Sequence, residues 1–137
     1  MALGFQPSSY SLVVGGCFLL FVDWLLFNAG SSGTLTEGKD EGNLPALTIM
    51  NTILSAVGSA TCLAVIGMFS EMGNKSDVTL KFDLMQLVGS VMSGCVAVTA
   101  ASNNVEPTSA VVIGFVGAII YNGSVSLFEK LEIDDPL

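Results

Sequence analysis

The chain has 137 residues, 51% of them apolar and 12% charged, and its twelve acids, four lysines and lack of both arginine and histidine give a net charge of −8. A soluble domain carries roughly 25% charged residues, so this chain is short of the polar side chains a water-facing surface needs, and its length allows one domain. The acidic balance excludes nucleic acid and anionic lipid head groups as partners, and the missing histidine removes the commonest general base together with a common metal ligand.

Four apolar runs follow one another, each long enough for the ~17–25 residues a bilayer crossing takes. They cover about residues 11–29, 44–69, 84–101 and 109–128, and Asp23 is the only charge inside any of them. The connections are polar. Residues 31–43 (SSGTLTEGKDEGN) and 70–83 (SEMGNKSDVTLKFD) read as solvent loops, and 102–108 (SNNVEPT) reads as a tight turn. Pro107 stands where a helix start tolerates it. The predicted fold is all-α: a polytopic, multi-pass integral membrane protein with four transmembrane helices.

Lys75 and Lys81 separate runs two and three, Lys130 follows run four, and Lys39 stands alone on the other side. By the positive-inside rule both chain ends face the cytoplasm, and the loops 31–43 and 102–108 lie outside. No lysine or arginine precedes Lys39, so the first run lacks the positive n-region of a signal peptide and is expected to stay.

Small residues recur every four positions: Ala110, Gly114 and Ala118 on run four, Gly89, Ser93 and Ala97 on run three, Ser55 and Ser59 on run two. That spacing lines one helical face, and such faces let helices pack closely in lipid. Cys17, Cys62 and Cys95 sit inside apolar runs without CxxC spacing, as small packing residues would.

Asp23 is the sharpest feature. A carboxylate at the centre of a membrane helix costs about 2.5–3.5 kcal/mol; by count Asp23 lies nearer the outer end, where the cost is lower. It reads either as a cation or proton site inside a bundle, or as a protonated or hydrogen-bonded acid that fixes helix contacts with Ser, Thr or Asn neighbours. Trp24 and Phe27 suit either an interfacial anchor or an aromatic wall for a cation. Asn28, Asn51, Thr52 and Thr99 fall in the outer half and suit interhelical bonds or a polar path. Asn74 and Asn122 match the glycosylation pattern but lie on the inner side and within the membrane, so neither is expected to be modified. Nothing pairs a nucleophile with a base, builds a metal cage or forms a phosphate loop; no enzyme, metal or cofactor is expected.

The segment FVDWLLFNAGSS (21–32) resembles the F-G-W-x-x-F-N-A-G-S stretch of ammonium transporters, the Amt/Mep/Rh family, through Trp24, Phe27, Asn28, Ala29, Gly30 and Ser31. In order and in register, MNTILSAVGSA (50–60), SGCVAVTAAS (93–102), SAVVIGFVGAIIY (109–121) and KLEIDDPL (130–137) resemble the segments that follow in that family. The resemblance implies part of an eleven-helix, trimeric fold whose pore lies between two inverted halves. This chain would supply helices six to nine, the first running outward, in agreement with the lysines. It implies transport of ammonium or ammonia, with Ser31 at the outer pore mouth bonding the arriving ion and Trp24, Phe27, Asn28, Asn51 and Thr99 as pore-side or structural residues. The family's two pore histidines belong to its fifth and tenth helices, outside this stretch. Asp23 stands where the family usually has glycine. Four helices from one half do not enclose a pore between halves. The expected partners are therefore the remaining transporter helices, in a homo-oligomer, with the chain a stretch of a longer transporter or one part of a split one. The alternative is a non-transporting structural subunit of a larger membrane complex.

Overall fold

The computed structural model describes residues 9–32, 44–72 and 84–131, and all regular structure among them is helical. Four helices run Tyr10–Ser31 (α1), Leu44–Met72 (α2), Leu84–Val98 (α3) and Pro107–Lys130 (α4). Each boundary has a local cause. Ser9 caps α1 by accepting from the Leu12 N–H, and at the other end the Ser32 hydroxyl and N–H both donate to the Ala29 carbonyl. Pro107 opens α4 where its missing N–H has no helical partner to lose. Lys130 closes α4 and complements the negative end of its dipole.

Helices α1, α2 and α4 are long and apolar enough to cross a membrane. The third is shorter than its apolar run: α3 stops at Val98 after 15 residues, about 22 Å of helix, instead of continuing to 101. The reason is tertiary. The chain tightens into successive turns, with the Ala101 N–H on the Val98 carbonyl (3.0 Å) and the Asn104 N–H on Ala101 (2.9 Å). From α2, Asn51 Nδ2 donates to the Ser102 and Val105 carbonyls, both at 2.8 Å. A buried amide of α2 thus ties down the turn that follows α3.

Helix α2 is central. It touches the other three, whereas α1 reaches α2 and α3 but not α4. The core is small and polar: Thr48, Asn51, Thr52, Ser55 and Ser59 of α2, Ser90 of α3 and Asn122 of α4 are buried. Large apolar side chains point outward, Leu12, Phe18 and Leu19 of α1 among the most exposed. Water would disfavour that arrangement. In a bilayer it is the stable one, because lipid tails solvate leucine as well as protein does and association rests on close packing and interhelical hydrogen bonds.

The glycines report how close the helices come. A Cβ on Gly114 or Gly58 would run into the backbone of Ser55 or Val111 across the α2–α4 crossing, and one on Gly94 would lie 2.7 Å from the Ser55 carbonyl oxygen. Hydroxyls seal the same crossings: Ser55 donates to the Gly94 carbonyl (2.7 Å) and Ser59 to that of Ser90. The stripe Ala110, Gly114, Ala118 is buried throughout. On α3 the packing splits. Gly89, Ser93 and Ala97 adjoin Tyr121 and Gly117 of α4, while the adjacent stripe of Ser90 and Gly94 meets α2.

Candidate functional site

The C-terminal half of α1 carries the cluster read from the sequence, and the fold divides it between two faces. One face turns inward. Trp24 Nε1 donates to the Thr99 hydroxyl (2.9 Å) and Asn28 Nδ2 to the Thr52 hydroxyl (3.0 Å). Thr52 and Thr99 each pass their own proton back to the carbonyl four residues earlier, Thr48 and Cys95. Asn28 is buried and Trp24 half-buried, so these two residues join α1 to α2 and α3. Asn51 lies one step along α2 from Thr52 and holds the turn after α3. Asn28, Asn51, Trp24 and Thr99 thus belong to one connected region where three helices meet. Two buried acceptors in it, Asn28 Oδ1 and Asn51 Oδ1, have no hydrogen-bond partner among the described residues.

The other face of α1 turns away from the bundle. Asp23, Phe27 and Ser31 follow at four-residue intervals, which stacks them along one side of the helix. All three are exposed. Phe27 is flanked by Trp24, with ring centroids 6.4 Å apart and planes at 58°. The sequence weighed Asp23 as an acid hydrogen-bonded to Ser, Thr or Asn neighbours. Among the described residues its carboxylate has neither a hydrogen bond nor an ion pair. Its surroundings on that face are Leu19, Leu20 and Leu26, all exposed, with Gly16 and Gly30 open to empty space.

An apolar hollow lies elsewhere. An open groove of about 430 Å³ between α1, α2 and α3 is lined by apolar side chains such as Phe21, Val57 and Leu87, with Cys17 at its edge. It presents no polar surface, so it has nothing with which to hold a small polar solute. No cluster of three or more metal-ligating side chains occurs among the described residues. Sequence reasoning left out the buried Thr48 and Ser90, and it read Asn122 only as an unmodified glycosylation pattern and not as a packing residue. Asn122 Nδ2 donates to Ser90 Oγ (3.0 Å) while its oxygen accepts from Gln86 (2.8 Å). The signal for Thr48 was the polar residue every third or fourth place along α2.

The Ammonium Transporter Family model matches residues 2–137. The chain belongs to the ammonium transporter family. It is 31% identical over 140 aligned positions to Ammonium transporter 1 member 1 of Arabidopsis thaliana, covering 99% of this chain and 27% of that protein. It is 33% identical over 123 positions to Putative ammonium transporter 1 of Caenorhabditis elegans, covering 89% of this chain and 21% of that one. Ammonium transporter 1 member 4 of Arabidopsis thaliana gives 33% over 133 positions, 94% of this chain and 26% of the relative. The chain therefore spans about a quarter of the length of these relatives. No solved structure matches it. With its apolar helices, family membership makes this a multi-pass integral membrane protein of a transporter family, not an enzyme.

Proposed function

We propose that residues 1–137 form one wall of an ammonium-conducting pore, with Ser31 at its outer mouth. The observation that carries this is the family match along the chain from residue 2 to 137, taken with the way α1 presents Ser31. Ser31 ends α1 on its exposed side, where a hydroxyl meets solvent and accepts a hydrogen bond from an ammonium N–H. Trp24 and Asn28 serve that position from behind. Their bonds to Thr99 and Thr52 fix the rotation of α1 about its own axis, which decides which residues face the path. The opposite wall comes from transporter helices outside residues 1–137, because a pore between inverted halves needs both.

The test is uptake of labelled methylammonium by cells lacking their own ammonium transporters and expressing the native assembly that contains this chain. Uptake that competes with ammonium, and that Ser31→Leu lowers severalfold without changing the amount of assembly in the membrane, is the expected result. An assembly that reaches the membrane and moves no ammonium overturns the proposal and assigns the chain a structural place.

A further inference from the structure

We propose that Asp23 is a second station for the ammonium ion, two helical turns inward of Ser31, which makes this transporter hold the charged species within its path. The inference rests on the pore-wall reading above. Asp23, Phe27 and Ser31 share one side of α1, and eight residues of helix separate the outer two by about 12 Å. All three are exposed on the side that α2, α3 and α4 leave bare. A path that passes Ser31 along this helix therefore passes Asp23.

The chemistry points to a cation. Asp23 is the only charged residue of α1, and among the described residues no donor meets its carboxylate. Its side chain is too short to carry the charge out to the interface as a long lysine or arginine would. A small monovalent donor such as ammonium supplies what the carboxylate lacks, both a positive charge and N–H groups. Phe27, exposed on the same side of α1, borders the way between the two stations with an aromatic face that attracts a cation. Gly16 and Gly30, one heptad either side of Asp23, have nothing within 4 Å of where a Cβ would stand, so this side of α1 is open at both.

Two measurements on the native assembly test this. In the wild type, the membrane-permeant dicyclohexylcarbodiimide is applied as a probe of carboxyl groups in apolar surroundings, and Asp23 modification is read by mass spectrometry. Ammonium chloride is expected to protect Asp23, while sodium chloride at equal concentration is not. In proteoliposomes, ammonium-evoked currents are titrated for Asp23→Asn, Asp23→Gly and Asp23→Glu. Removing the charge is expected to raise the half-saturating ammonium concentration at least about tenfold, and Asp23→Glu to keep it within about threefold. Modification that ammonium does not slow overturns the inference, as does unchanged half-saturation in Asp23→Asn. Where the carboxyl group is not modified under any condition, the current titration decides, and a half-saturating concentration in Asp23→Asn equal to the wild type's overturns the inference. In these cases transport itself still stands on methylammonium uptake, so failure of the station is distinguishable from failure of the pore reading.

Discussion

Asn51 shows how one side chain sets the length of a helix it does not belong to. Its Nδ2 group bonds two carbonyls in the turn that ends α3, each at 2.8 Å, in a position from which water is excluded. Removing it leaves the buried Ser102 carbonyl and the part-buried Val105 carbonyl without that donor, a loss of about 1–3 kcal/mol. Asn51→Ala is expected to lower the thermal midpoint of the detergent-solubilised assembly and to open the 99–106 turn to proteolysis. Asn51→Asp is expected to be worse, because an ionised carboxylate offers no proton and sets negative oxygen against two carbonyl oxygens. If Asp is tolerated as well as Asn, the bonds to Ser102 and Val105 are not what hold the turn. This residue also marks a limit of the sequence. Asn51 and Thr99 were legible as polar residues of the outer half, but Thr99, Ala100 and Ala101 continue an apolar run, and nothing local announces that a helix 50 residues upstream in the chain will stop them. Likewise Trp24 and Thr99 were each legible, but not as partners, since their bond spans 75 residues.

At the scale of the helices, the glycines separate two kinds of surface. Gly58, Gly94 and Gly114 lie where backbones touch, while Gly15, Gly16 and Gly30 of α1 have nothing within 4 Å of a Cβ. Gly114→Ala is therefore expected to push α4 off Ser55 and reduce the folded fraction sharply, whereas Gly15→Ala leaves the stability of residues 1–137 unchanged or slightly raised, alanine being the better helix former by about 0.8–1.0 kcal/mol. Circular dichroism melts in detergent read both. The four-residue stripes made close helix packing legible in advance, because its geometry is written in side-chain size, but not which helices meet: that α4 crosses α2 is visible only in the fold. The weaker hold on α1 was not legible. Only Asn28 and Ala29 are buried along its length, and its docking to the bundle leans on two side-chain hydrogen bonds. In a double-mutant cycle with Trp24→Phe and Thr99→Val, the Trp24–Thr99 pair is expected to couple by about 0.6 kcal/mol and by no more than about 1.7, the range for such bonds in membranes. Coupling near zero would place the hold in the contact of the rings and not in the bond.

For the whole molecule the decisive fact is that α1 lies at the edge of these four helices. Ser31, Phe27 and Asp23 of α1 face outward from them, and among the described residues no helix stands in front of these three side chains. In a membrane that holds this stretch alone, an ion leaving Ser31 for the interior would have protein on one side and acyl chains on the other. Lipid offers it no hydrogen-bond acceptor, and a charge within hydrocarbon costs far more than the few interactions of one helix face return. Expressed alone in cells lacking ammonium transporters, residues 1–137 are therefore expected to insert in the membrane fraction and yet to give methylammonium uptake no higher than cells carrying an empty vector. The two readouts must be taken together, since a chain that fails to insert says nothing about the path. Insertion with uptake clearly above the background would mean that copies of this stretch close a path among themselves, with α1 facing α1 and the Asp23 carboxylates gathered around it. The requirement for helices beyond residues 1–137 would then fall, and the pore would have to be sought on the axis of an oligomer.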